Sequence, residues 1–149
     1  RRGDSLSGRR PHRTMAILVS EISLSEDLAR AFEIRRVVFC DEQGVSRMEE
    51  FDGLDETCRH FLARVEQVSV GTARIRPLET GETKIERVAV LKEYRGLGVG
   101  LALMRQIMEE IGGAPMVLNA QFHTKAFYKG LGFTAVGEIL TRRVSTTSK

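Results

Sequence analysis

A mixed α/β fold, a mostly antiparallel sheet flanked by helices, is what this chain predicts, and three observations carry that expectation. Short apolar runs of strand length alternate with stretches whose apolar residues recur at helical spacing. Three strand-like runs then follow one another from residue 60 to residue 90 with only turn-sized breaks, the pattern of an antiparallel meander. Finally, a glycine-rich segment, Arg95-Gly96-Leu97-Gly98-Val99-Gly100, joins a buried strand to an amphipathic helix.

Taken in order, residues 16–22 (AILVSEI) read as the first strand, and Ser23-Leu24-Ser25-Glu26 has the spacing of a capping box that opens a helix. Leu28, Ala31, Phe32, Val38 and Phe39 form its apolar stripe, with Arg30, Glu33, Arg35 and Arg36 mostly outside it. A polar stretch follows from Cys40 to Arg59, in which Asp41, Glu42, Glu49, Glu50, Asp52, Asp55 and Glu56 stand against Arg47 and Arg59. A loop of that length is usually functional or disordered. His60 to Glu66 and Ser69 to Arg76 read as strands joined by a tight turn near Gln67, and Pro77 with Thr80-Gly81 marks the turn before the strand that starts at Lys84. With a period of two, Glu86, Val88 and Val90 share one face of that strand.

After the glycine turn, Leu103, Met104, Ile107, Met108 and Ile111 fall at helical spacing, and Gly112-Gly113 with Pro115 stop the helix. Met116 to Ala120 reads as a short buried strand and Thr124 to Leu131 as a further helix. Phe133 to Val136 and Ile139 to Val144 close the sheet.

At 149 residues the chain suits one domain over 15–149, preceded by a leader, 1–14, read as disordered or as an added segment. The formal charge of +3 is concentrated in that leader: residues 1–14 hold five arginines and one aspartate, which leaves 18 basic against 19 acidic residues for the rest. A near-neutral domain is a poor nucleic-acid surface, so no nucleic-acid partner is expected. No apolar run reaches the roughly 18 residues of a membrane span, and no membrane partner is expected. Cys40 and Cys58 have neither metal-ligand nor disulfide-framework spacing, so the setting reads as reducing and cytoplasmic, without a metal. A homodimer is one open arrangement.

The chemistry starts at the glycine turn. Gly96, Gly98 and Gly100 remove side chains where the backbone passes into a helix, whose first N–H groups and positive dipole end form an anion site. A dinucleotide fingerprint fits badly, because G-x-G-x-x-G needs a glycine at residue 101 or 103 and both are leucine.

Arg95-x-x-Gly98-x-Gly100 after a Val-Ala-Val strand resembles the acetyl-CoA pyrophosphate signature of the GCN5-related N-acetyltransferase (GNAT) superfamily. Leu118-Asn119-Ala120-Gln121, followed by Phe127-Tyr128-Lys129-Gly130-Leu131-Gly132-Phe133, resembles that family's second half-site, and the likeness covers nearly all of residues 15–144. It implies a sheet that splays between its central strands, on either side of the glycine-turn helix. The slot so formed would hold acetyl-CoA as co-substrate. Arg95, Gly96, Leu97, Gly98, Val99 and Gly100 would lie at the pyrophosphate, Val88, Ala89 and Val90 along the pantetheine arm, and Asn119 on the other wall. Asn119 has the alternative of simply satisfying a strand end. Tyr128 would point at the thioester sulfur; its other reading is a core tyrosine beside Phe127.

An alkylamine of pKa near 10.4 is mostly protonated at pH 7, so a base or water relay helps, and Glu86 is the candidate in the preceding strand, unless it is merely solvated. Glu42-Gln43 with Asp52, Asp55 and His60 resembles a pattern in a bacterial subgroup of uncharacterised acetyltransferases. This places Glu42, Asp52, Asp55 and His60 on the acceptor side, with His60 alternatively a structural hydrogen-bond partner and His123 open between surface and substrate. The resemblance implies an N-acetyltransferase that transfers acetyl directly to a primary amine on a small molecule, with a non-catalytic acyl-CoA-binding module as the alternative. If the acidic segment borders the slot, its field should favour cationic amines.

Overall fold

In the computed structural model, which describes residues 16–119 and 125–143, seven strands form one open sheet. The elements are β1 (Ile17–Ile22), α1 (Ser25–Arg35) with a π-helical continuation (Arg36–Glu42), α2 (Arg47–Glu50), β2 (Arg59–Val65), β3 (Val68–Pro77), β4 (Thr83–Val90), α3 (Val99–Ile111), β5 (Met116–Asn119), α4 (Lys125–Lys129), β6 (Thr134–Val136) and β7 (Ile139–Arg142). Spatial order is β1-β2-β3-β4-β5-β7-β6, with β4 and β5 parallel and every other neighbouring pair antiparallel. The α3 crossover is what lets β4 and β5 run parallel. The leader, Gln121 and His123 lie outside the described residues. Among the described residues no helix is long and apolar enough to cross a membrane.

Strand alternation distributes the core over both faces of the sheet. Phe61, Ala63, Val65, Val70, Ala73, Ile75 and Ile85 pack with Val99, Leu103, Met104 and Ile107 of α3. Leu62 and Ala89 point the other way, onto Ala31 and Ile34 of α1 and Val38 of its continuation. The β2–β3 hairpin closes through Glu66 and Gln67, both at positive φ (51° and 72°), the backbone that two-residue hairpin turns require.

Three local expectations change. The capping box does not form: Leu24 is the N-cap of α1, without a side-chain hydrogen bond, because the helix starts one residue later than that spacing needs. The 40–59 stretch is ordered, with Ser46 capping α2 by accepting from the Glu49 N–H at 3.1 Å and Asp52 accepting from the Leu54 N–H at 3.1 Å. Arg35, expected on the outer side of α1, is buried, since a buried guanidinium is tolerated where carboxylates meet it, and here Glu50 and Asp55 do.

Candidate active site

Leu91, just beyond β4, donates its N–H to the Val70 carbonyl at 2.9 Å, which ties the exit of β4 to β3 before a 3₁₀ turn (Lys92–Tyr94) leads into the glycines. Gly98 is the N-cap of α3 at φ 94° and Gly96 stands at φ 79°, a region that L side chains avoid. A Cβ at Gly96 or Gly100 would meet nothing within 4 Å, and one at Gly98 would meet only Ile17 Cδ1 at 3.9 Å. Open space therefore stands in front of the turn. No side chain caps α3, and its first intrahelical donor is the Ala102 N–H, to Gly98 O at 3.0 Å. The N–H groups of Val99, Gly100 and Leu101 thus lack intrahelical acceptors and form, with the helix dipole, a cradle shaped for an anion such as a pyrophosphate.

Gly71 on β3, which sequence reasoning passed over, lets that helix start lie close on the sheet. A Cβ there would sit 2.9 Å from Val99 Cγ1 and 3.3 Å from Leu103 Cδ1. A glycine inside a strand, here between the β-branched Val70 and Thr72, is the signal that could have found it.

The slot is visible in the ladder. β4 and β5 pair only at Thr83↔Met116 and Lys84↔Val117, and no pairing joins the rest of β4 to Leu118 or Asn119. On its other side β4 carries a bulge: the register runs from Arg74↔Glu86 to Thr72↔Ala89, so that Arg87 and Val88 oppose the single residue Ala73. Arg87 adopts φ 57°, left-handed for a non-glycine residue. The extra residue breaks the period of two and corrects the expected alignment of Glu86 with Val88 and Val90. Val88 and Val90 pack against the α3 core, whereas Glu86 lies with Arg74 on the opposite face, under the 46–58 loop. Ala89 faces α1 and is buried.

Tyr128, on α4, is buried at 5% exposure and meets Phe127 and Phe133 edge-on at centroid distances of 4.8 and 5.7 Å. Burial pushes its phenol up to about 12, so it carries its proton throughout the neutral range. Asn119 closes β5, opposite Ile139 of β7.

Of the predicted acceptor-side residues, Asp52 and Asp55 come together with Glu86 as members of an ion-pair network, His60 lies beside Asp55, and Glu42 pairs elsewhere, with Arg95. Arg74, buried on β3, donates to Asp52 Oδ1 and Oδ2 (both 3.0 Å), Asp55 Oδ1 (2.9 Å) and Glu86 Oε2 (3.1 Å). Arg35 binds Glu50 and Asp55, each at 2.8 Å. Arg76 (3.0 Å) and Lys84 (3.6 Å) complete the surroundings of Glu86. Burial pulls the Glu86 carboxyl upward, but Arg76 and Arg74 outweigh it and hold it below the usual glutamate range. Asp52 is held well below the usual aspartate range, foremost by the Arg74 guanidinium. Asp55 also ends low: burial raises it, and Arg35 and Arg74 more than offset that. Glu50 goes the other way, raised because burial exceeds the help of Arg35 and Arg87.

His60 is buried, with Nε2 at 2.9 Å from the Asp55 carbonyl and its ring edge-on to Phe32. Burial lowers its pKa, so the neutral ring donates from Nε2 and pins the 3₁₀ turn Asp55–Thr57. Burial likewise raises the Cys58 thiol, away from a nucleophilic thiolate. Glu42, at the end of the π-helical segment, binds Arg95 Nη1 at 3.2 Å while Arg95 Nε donates to the Val90 carbonyl at 2.8 Å. Arg95 holds Glu42 below the usual glutamate range and so joins the α1 side to the glycine turn. Arg35, Arg74 and Arg76 were missed in the sequence; for the two strand arginines the available signal was their spacing of two in one strand, which puts both on one face, with Glu86 in the strand that follows to meet them.

The profile of a family described as an acetyltransferase (GNAT) domain matches residues 56–135, from the 3₁₀ turn before β2 to β6. A provisionally named acetyltransferase of Bacillus subtilis (strain 168) is 39% identical over 127 residues, covering 80% of this chain and 85% of the relative. The uncharacterized N-acetyltransferase YjcF of the same organism is 35% identical over 116 residues, covering 76% of this chain and 82% of the relative. Among solved structures, a GNAT family acetyltransferase from Brucella melitensis in complex with acetyl-CoA shares the fold, with a TM-score of 0.72 at 19% identity over 87% of this chain and 89% of the other. With its glycine turn, its parted central strands and these relatives, the chain belongs to the GNAT acetyltransferase family.

Proposed function

We propose that the protein is an acetyl-CoA-dependent N-acetyltransferase that passes the acetyl group directly to a primary amine on a small molecule. The observation that carries this reading is the open glycine cradle at the start of α3, beside strands that stop pairing after Lys84↔Val117. In this reading Gly96, Leu97, Gly98, Val99 and Gly100 hold the pyrophosphate through backbone N–H groups, with Arg95 released from Glu42 to join them. Val88, Ala89, Val90 and Asn119 line the pantetheine arm. Bound acetyl-CoA supplies the reactive thioester.

The chain's own groups then have separable tasks. Backbone N–H groups at the β4 bulge lie outside the regular ladder and are suited to polarise a carbonyl in the slot. Tyr128 keeps its proton and offers a hydrogen bond to a departing sulfur. A phenol near pKa 12 facing a thiol of ordinary pKa about 8.5 opposes full proton transfer by about 5 kcal/mol, which favours donation of a hydrogen bond over outright protonation. Glu86, ion-paired with Arg74, Arg76 and Lys84, is a weak base for an alkylammonium. Its assigned part is therefore structural, and the amine loses its proton to water. Asp52, Asp55 and His60 shape the acceptor side by fixing the loop.

Thiol release from acetyl-CoA over a panel of small primary amines, alongside calorimetric binding of CoA, tests the proposal. Amine-dependent thiol release is expected. Tight CoA binding without release for any amine in the panel would instead support the acyl-CoA-binding module.

A further inference from the structure

We propose that Arg87 is a positioning residue for acyl transfer: its side chain clamps the β4 bulge to residues 49–52 and so holds the backbone of Val88 at the slot. This deepens the acetyltransferase reading and rests on it. The first observation is conformational. The left-handed region is unfavourable for an arginine, and a residue held there needs surroundings that fix it. Those surroundings are the second observation. Arg87 Nε donates to the Glu50 carbonyl at 3.2 Å and lies 3.1 Å from Glu50 Oε2, while Nη2 reaches the Glu49 carbonyl and Asp52 Oδ2, each at 3.2 Å.

Two of the acceptor residues, Glu50 and Asp52, are themselves held from another direction. Arg35 donates to the Glu50 carboxylate at 2.8 Å and to its carbonyl at 2.9 Å, anchoring it to α1. Arg74 takes both oxygens of Asp52, anchoring that side to β3. The clamp is thus rigid relative to both helix and sheet. The third observation is place: the bulge begins at Arg87, three residues beyond Lys84, the last residue of β4 paired with β5, so the twist it imposes falls where the slot opens. It also moves Val88 and Val90 to the α3 face. A one-residue slip there would reverse the faces of the cofactor-side strand.

The test compares Arg87→Gly, Arg87→Lys and Asp52→Asn with the unmodified protein by steady-state kinetics, CoA calorimetry and amide hydrogen exchange of β4. Glycine accepts the left-handed backbone without a side chain, so Arg87→Gly removes the clamp but not the allowed conformation. The expected result is a kcat lower by about 10-fold to 100-fold, with acetyl-CoA KM and CoA affinity within about twofold, as for a small misplacement at a reacting centre. Arg87→Lys should recover part of kcat. Exchange at Val88 and Ala89 should quicken by about 10-fold or more.

Unchanged kcat and unchanged exchange in Arg87→Gly would overturn the proposal. So would a loss of CoA affinity in step with kcat, which would mark a general collapse of the slot. If Arg87→Gly does not fold, Arg87→Lys and Asp52→Asn decide by the same readouts. If the unmodified protein binds CoA but acetylates no amine, the enzyme reading falls separately, and exchange alone decides whether the clamp exists.

Discussion

At the scale of single residues, two positions separate binding from chemistry. Gly98 combines φ 94° with open space ahead of it, so Gly98→Glu adds about 1–2 kcal/mol of backbone strain and sets a carboxylate where the proposed pyrophosphate would sit. Calorimetry should show CoA binding abolished while far-UV circular dichroism keeps the native helix and strand signal; a folded variant with unchanged affinity would remove the glycine turn from the site. Tyr128 belongs to the other half. Tyr128→Phe keeps the edge-on packing against Phe127 and Phe133 but deletes the hydroxyl, so kcat should fall by roughly 10²-fold with acetyl-CoA affinity little changed. Because burial holds the phenol near 12, the pH–rate profile should rise toward pH 9 with the amine and show no falling limb from Tyr128 there. Retained kcat in the phenylalanine variant would leave Tyr128 as core packing alone.

At the scale of elements, the acidic loop is bound to the sheet by carboxylates whose titration gives stability a pH dependence with a definite sign. Asp52, Asp55 and Glu86 have folded pKa values below their ordinary ones, so their contribution is complete above the ordinary carboxylate range and is lost as pH falls through the lowered values. Glu50, raised by burial, acts in the opposite sense and is outnumbered. The melting temperature should therefore vary little from pH 8 to 5 and drop below about pH 4. Asp52→Asn should lower it at pH 7 and flatten the acid drop; a drop of equal steepness in that variant would show that the network does not govern it. The strand and helix order was legible in the sequence because period-two and helical stripes are local signals, and the glycine turn because its backbone needs are local too. The bulge was not legible, since Arg87 carries none of the glycine or asparagine signal usual at positive φ and its conformation is imposed by partners 35 to 38 residues away. The burial of Arg35 and Arg74 was hidden in the same way, by partners 12 to 22 residues away.

At the scale of the whole molecule, the distribution of charge decides which acceptors are drawn to the slot. Counting only formal charges, the segment from Asp41 to Glu56 holds seven carboxylates and Arg47, which predicts attraction of cationic amines. In the folded chain five of the seven are matched: Asp41 with Arg36, Glu42 with Arg95, Glu50 with Arg35 and Arg87, Asp52 with Arg74 and Arg87, and Asp55 with Arg35 and Arg74. Within the network under the loop, five cations (Arg35, Arg74, Arg76, Lys84, Arg87) face four carboxylates (Glu50, Asp52, Asp55, Glu86). Two cations (Arg35, Arg74) and two carboxylates (Glu50, Glu86) take the buried positions, and the partly exposed members are three cations, Arg76, Lys84 and Arg87, against two carboxylates, Asp52 and Asp55, so the surface of this network does not present net negative charge. Long-range steering of a cation by the loop is then weak, and the acceptor must be chosen by contacts inside the slot. For the best cationic amine in a panel, KM should change by less than about twofold between roughly 50 and 300 mM salt, although screening over that range would strongly weaken an unmatched acidic surface. Steady-state kinetics at several ionic strengths checks this. A KM that climbs about tenfold with salt, and does so for cationic amines but not for neutral ones, would restore the acidic loop as the element that recognises the acceptor.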